Sequence, residues 1–229
     1  CTLGNSAIVS RLVEVPGLDI NYQDKDGFTA VLWACINGRT ECVRILAETG
    51  RVDWNKADKC GQTPLFCALD YGHSDTVDII VKQPNIDYNV KTTEDCWCYW
   101  DCCCCGCEAE TLGHAAVRGG MEWHGGMKCV ETLANQERCD CWNVPDWRGD
   151  TPIMMAFKED KTEIVEILLR CPRVDLSCRD RQGWSLVFRA IQRKEFGGEK
   201  NDLGRGGGGE INDFFVKYIP LDQHGGLKE

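Results

Sequence analysis

One interval recurs along this chain and limits what it can fold into. The step from Asn21 to Asn55 is repeated from Asn55 to Asn89, and it also separates Gly27 from Gly61, Thr29 from Thr63, and Gly38 from Gly72. Past the midpoint the same step separates Asn143 from Ser177, Gly149 from Gly183, and Thr151 from Ser185. A period of this size, within the range of roughly 20–50 residues that marks repeat architectures, denotes one small unit repeated along a stack. Each copy contacts its neighbours, and no single closed core is needed.

One unit can be read residue by residue. Asp58-Lys59-Cys60-Gly61 supplies a turn in which glycine takes the left-handed backbone, and Thr63-Pro64 starts a helix with proline in its first turn. Leu65, Ala68 and Leu69 recur at helical spacing and mark a buried stripe, and Tyr71-Gly72-His73 breaks the helix. A second helix from Ser74 carries Val77, Ile80 and Val81, then ends at Gln83-Pro84-Asn85. Neither helix could bury its apolar face alone, so stability must be shared along the stack.

These stretches resemble the ankyrin repeat. The resemblance rests on Asp26-Gly27-Phe28-Thr29-Ala30, on Gly61-Gln62-Thr63-Pro64-Leu65 and on Arg148-Gly149-Asp150-Thr151-Pro152-Ile153. It continues through Asn37-Gly38-Arg39 and Tyr71-Gly72-His73 between helices, and through Val52-Asp53-Trp54-Asn55 at the unit's end. It implies an all-α solenoid of helix-loop-helix units with projecting turn or hairpin fingers. Full units begin near Asp24, Asp58, Thr92 and Asp146, a partial one precedes Asp24, and a last one near Asp180 stops after its first helix. The array is assigned to residues 1–196, and residues 197–229 to a glycine-rich linker and short tail. Leu32 and Phe66 replace a frequent histidine, and Asp160 replaces the glycine between helices.

The third unit is broken. The step from Asn89 to Asn143 exceeds one period without reaching two, and the excess falls in two insertions, near 96–108 and 122–127. Seven of the chain's 17 cysteines fall between Cys96 and Cys107. Thiolates suit zinc or iron–sulfur clusters, but the run Cys102-Cys103-Cys104-Cys105 cannot aim all its sulfurs at one ion, so a low-complexity insertion is the better reading. The other ten include several at positions where a small apolar side chain would pack, as buried thiols do in a reducing compartment. Cys67 is read as packing and Cys60 as an exposed thiol. Cytoplasmic residence follows, with the nucleus as the open alternative.

Chemistry is otherwise sparse. His73 and His114 sit where scaffold hydrogen bonds are expected, His124 and His224 have no partner spacing, and the carboxylates are dispersed. Gly204-Arg205-Gly206-Gly207-Gly208-Gly209 is closed by Glu210 and lacks the Lys and Ser or Thr of a phosphate loop. No catalytic residue, metal or cofactor is nominated, and the chain is read as a non-enzyme. A net charge of −10 repels phosphate backbones, so nucleic acid is not expected, and no apolar run is long enough to span a bilayer. The chain opens on Cys1 without a basic-then-apolar leader, which suggests a fragment or processed product.

What remains is recognition of another protein by a monomeric array. The resemblance implies binding through finger tips and a concave face lined by first helices. The tips are Lys25, Asp26 and Phe28, then Lys59, Cys60 and Gln62, then Trp147, Arg148 and Asp150, then Arg181, Gln182 and Trp184. Exposed aromatics beside arginine dominate interface energetics, which puts Trp147, Arg148 and Trp184 first. The net acidity suggests a partner with basic character. Two alternatives are a targeting module of a larger, enzymatic chain and a cysteine-rich metal or redox module. As a loop insertion, the segment from Cys96 to Cys107 should be dispensable: its deletion is expected to leave one cooperative thermal transition by circular dichroism, and a broad or absent transition would refute this.

Overall fold

The computed structural model describes residues 4–93 and 110–189. The cysteine-rich insertion and the glycine-rich tail lie outside the described residues. Nine helices are named among those described: α1 (Ser6–Val13), α2 (Ala30–Ile36), α3 (Thr40–Glu48), α4 (Pro64–Asp70), α5 (Ser74–Ile80), α6 (Leu112–Glu122), α7 (Gly126–Ala134), α8 (Pro152–Lys158) and α9 (Thr162–Arg170). They alternate between two rows, α2, α4, α6 and α8 stacking in one and α1, α3, α5, α7 and α9 in the other. No strand forms among the described residues; isolated bridges join Lys91 to Thr111 and Arg179 to Ser185. The fold is an all-α solenoid.

Capping chemistry sets where the first helix of each pair begins. Thr29 and Thr63 accept hydrogen bonds on their hydroxyls from the amides of Leu32 (3.3 Å) and Phe66 (3.4 Å). Pro64 and Pro152 occupy first-turn positions, where a missing amide costs nothing. The helices then bury Val31, Leu32, Leu65, Phe66, Leu112 and Ile153, while α3, α5, α7 and α9 contribute Val43, Val77, Val130 and Val165 to one continuous core. Each such side chain contributes about 1.5–3 kcal/mol by leaving water, and each needs the neighbouring unit to do so.

The repeated asparagines hold one unit to the next. Asn21 donates through Nδ2 to the carbonyl of Arg51 at 2.9 Å and accepts on Oδ1 from the amide of Asp53 at 2.9 Å. Asn55 does the same to Asn85 (2.8 Å) and Asp87 (2.9 Å), and Asn143 to Arg173 (2.7 Å) and Asp175 (2.7 Å). An asparagine offers both a donor and an acceptor on one planar group, so it satisfies an irregular loop that lacks ladder partners.

Unit three differs in the length of its first helix. α6 has 11 residues where α2, α4 and α8 have 7, so Gly120, Met121 and Glu122 continue the helix instead of opening the loop at once. The added turn passes close to its neighbours: a Cβ at Gly119 would overlap the Leu69 carbonyl oxygen of α4, and one at Gly126 would overlap the Gly119 carbonyl. In unit four, Asp160 takes a left-handed φ of +57°, where Gly38 and Gly72 have +59° and +65°. Aspartate is among the few non-glycine residues that tolerate this conformation. Because a methyl at Gly119 can be accommodated only by separating α4 from α6, Gly119→Ala is expected to lower the unfolding free energy by about 2 kcal/mol in urea denaturation; an unchanged midpoint would contradict this packing.

Candidate partner-binding surface

Four turns of identical design build one edge of the array. They start at Asp24, Asp58, Asp146 and Asp180. In each, the aspartate amide donates to the carbonyl four residues on, and its own carbonyl accepts from the glycine three residues on. Its Oδ1 accepts from the amides two and four residues later, at 2.9 and 2.8 Å for Arg148 and Asp150. The carboxylate is thereby consumed inside the turn, and the positions next in sequence form the tip. Burial pushes the Asp180 carboxyl up, but the Trp184 amide and the Arg189 guanidinium outweigh it and hold it below its ordinary value.

Successive tips touch. The Lys59 amide donates to the Asp26 carbonyl at 3.4 Å and the Thr93 amide to the Cys60 carbonyl at 2.9 Å. Gly149 has φ +81°, and a Cβ there would sit 3.0 Å from the Arg181 amide nitrogen. Glycine is therefore required both for the left-handed turn and for the approach of the next finger.

Lys25, Lys59, Arg148, Arg181 and Gln182 are exposed, while Asp26, Phe28, Gln62, Trp147 and Trp184 are half-buried. The Arg148 guanidinium lies over the Trp147 ring, 4.7 Å from its centroid. Trp184 has Arg189 over one face at 5.0 Å and meets Phe188 edge-on at 5.2 Å. Arg189 also bonds to Asp180 and Gln182. Phe28 packs on Trp33, with centroids 4.7 Å apart, and the Trp33 indole N–H donates to Asp24. The Gln62 side-chain oxygen accepts a long contact, 3.9 Å, from the Cys67 thiol.

Two tip assignments need correction. Asp150 is only 3% exposed, because its amide closes the turn on Asp146 and its carboxylate pairs with Lys158 at 2.6 Å. It supports the turn from inside. Cys60, expected as an exposed thiol, is buried and disulfide-bonded. Phe188, 44% exposed, was not anticipated, although its place four residues after Trp184 on a helical turn is the available signal.

Behind the tips the polar interior is structural. Arg118 on α6 bridges Asp70 of α4 at 2.6 Å and Glu110 at 2.7 Å. Burial opposes the Arg118 charge, and the two carboxylates outweigh it and hold the guanidinium above its ordinary range. Burial pushes the Asp70 carboxyl up against the pull of Arg118. His73 places Nε2 3.1 Å from the Ile36 carbonyl, spanning two units. His114 is fully buried: its Nε2 lies 2.9 Å from the Asp150 carbonyl and its Nδ1 3.3 Å from the Thr111 amide. Since a carbonyl needs a donor and an amide an acceptor, the ring is neutral with its proton on Nε2. Both histidines thus serve the scaffold. Cys35, Cys67 and Cys129 behave as small apolar residues: burial pushes the Cys35 and Cys67 thiols up, and Cys129 up to about 12. Among the described residues no cluster of three metal-ligating side chains occurs, and no helix is long and apolar enough to cross a membrane.

His114 carries a pH consequence. Burial lowers its proton affinity below the ordinary value of 6.5, against the pull of Asp150, Glu110 and Asp146. A depressed histidine contributes stability in full above its unfolded value, and loses it as pH falls through the folded one. Wild type is therefore expected to lose more unfolding free energy than His114→Gln between pH 7.5 and pH 5, read as a difference so that Asp58 and Asp70 cancel. Parallel pH profiles would show that His114 does not titrate in the fold.

Comparison with known proteins agrees with this geometry. The family description for ankyrin repeats in three copies matches residues 1–92, and that for the single ankyrin repeat matches residues 148–181. Cortactin-binding protein 2 of Neofelis nebulosa is 49% identical over 43 residues, which is 19% of this chain and 3% of that protein. The chain thus corresponds to a small part of that relative. Among solved structures, the ankyrin repeat protein EF0377 superposes with a TM-score of 0.68 at 17% identity, covering 94% of each chain. A chain from the complex of the predatory endopeptidase Bd0816 of Bdellovibrio bacteriovorus with the immunity protein Bd3460 superposes with a TM-score of 0.59 at 18% identity, covering 85% of this chain and 89% of that one. At such identities these structures speak for the fold alone. The paired helices, the aspartate-glycine turns and the asparagine links between units, together with the family matches, make this chain a member of the ankyrin-repeat family.

Proposed function

We propose that this chain is a non-catalytic protein-interaction module, a monomeric scaffold that holds its partner on the finger edge and the face lined by α2, α4, α6 and α8. One observation carries the reading. The turns at Asp146 and Asp180 leave Arg148 and Arg181 exposed and Trp147 and Trp184 half-buried at the edge, while their carboxylates are tied up in the fold. Rigid aromatic and guanidinium groups on a pre-organised edge bind with little ordering cost, and burial of one such aromatic contributes about 2 kcal/mol. The interior histidines and the Arg118 pair are engaged in holding units together, which supports a scaffold over an enzyme. A relative named for binding cortactin, and a structural neighbour solved as an endopeptidase–immunity protein complex, point the same way.

The test is affinity capture with quantitative mass spectrometry, comparing the wild-type chain with Trp147→Ala, Arg148→Ala, Trp184→Ala combined. Specific partners are expected to be depleted by the triple substitution while helical circular dichroism is retained. Equal recovery on both would remove the finger edge as the site.

A further inference from the structure

We propose that the last two turns form a docking site for an acidic segment of a partner protein, an inference that rests on reading the array as an interaction module. A local excess of positive charge supports it. Arg148, Arg179 and Arg181 are all exposed, and among the described residues none of them forms an ion pair. Arg179 donates to a neutral acceptor, the Gly183 carbonyl, at 2.9 Å, and Arg148 lies over Trp147. The carboxylates of the same turns are spent: Asp146 on the amides of Arg148 and Asp150, Asp150 on Lys158, and Asp180 on Arg189.

The two turns are contiguous, since Arg181 packs against Gly149. Among the described residues, three cations without an ion-pair partner therefore lie on two touching turns, together with Trp147, Trp184 and the exposed ring of Phe188. The first two turns offer one exposed cation each, Lys25 and Lys59, and an ammonium lacks the planar fork by which a guanidinium pairs with a carboxylate. A partner approaching a tip experiences charges within about 8–10 Å, the screening length in physiological salt, not the chain's total. The net charge of −10 suggested a basic partner, whereas this edge selects an acidic one.

Guanidinium groups pair with carboxylates through two parallel hydrogen bonds, and the interleaved rings accept apolar or aromatic side chains between them. The complementary ligand is a short peptide segment alternating glutamate or aspartate with apolar residues. A nucleic acid fits less well, because a long polyanion would run past three arginines onto a chain of net charge −10.

The experiment is fluorescence anisotropy of the full chain with a fluorescein-labelled peptide of alternating glutamate and leucine, its lysine-for-glutamate counterpart, and a labelled single-stranded DNA. The acidic peptide is expected to bind, more weakly as salt rises, and to lose about tenfold in affinity in the combined Arg148→Gln, Arg179→Gln, Arg181→Gln variant. Arg44→Gln with Arg170→Gln, exposed on the second-row helices α3 and α9, should leave its binding unchanged. Thermal unfolding by circular dichroism checks the fold, and Arg148→Gln with Arg181→Gln alone keeps the test valid if Arg179 is needed at its turn. The proposal is overturned if the acidic peptide does not bind, binds no better than the basic one, is indifferent to the arginine substitutions, or is outcompeted by the DNA. Partners still captured from extract and lost with the tryptophan substitutions would, in that case, leave the interaction-module reading standing.

Discussion

The hydrogen bonds from Asn21, Asn55 and Asn143 to the loop of the next unit are the constraint on which the array depends. A helix of seven residues is too short to be stable alone in water, and α2, α4, α5 and α8 all have that length. Their stability comes from stacking, and stacking needs a fixed register. Asn21, Asn55 and Asn143 fix it by reaching across to a carbonyl and an amide in the following unit. With the register set, α2, α4, α6 and α8 bury their faces on each other, and the aspartate turns fall into line along one edge.

The same register turns a repeated motif into a surface. Each Asp turn closes on itself, so its shape does not vary with the side chains at its tip. Sequence can change freely there, from Lys25-Asp26 to Lys59-Cys60, Trp147-Arg148 and Arg181-Gln182. The fold supplies position, and the tip residues supply chemistry.

The helix pairs and the turns were legible because their signals are local: Gly61 and Gly149 mark turns, Thr63-Pro64 marks a helix start, and recurrence at a fixed interval shows that these belong to one unit. Interactions between units were not legible, since a period says what recurs and not what it touches. Asp150 read as a tip residue because it follows Gly149, yet the amide bond that closes the turn draws it inward beside Lys158. Cys60 occupies a tip position in sequence and a buried one in space. The ion pair of Arg118 with Asp70 joins two units across an insertion that upsets the period, so no spacing argument could reach it. Asp160 shows the reverse: a residue that departs from the pattern while its backbone keeps the glycine's left-handed conformation.

The surroundings of α1 have a different character. Among the described residues α1 packs against α3, and between α1 and α2 lies an open cavity of about 680 Å³ walled by Ile8, Leu12, Leu18, Tyr22, Phe28 and Trp33. Ile8 and Leu12 are about half exposed there, at 55% and 49%. Thermal breathing in this molecule should be graded rather than uniform: α1 buries Val9 alone of its eight residues and α4 buries all seven of its own, so amide protons of α1 exchange with solvent before those of α4.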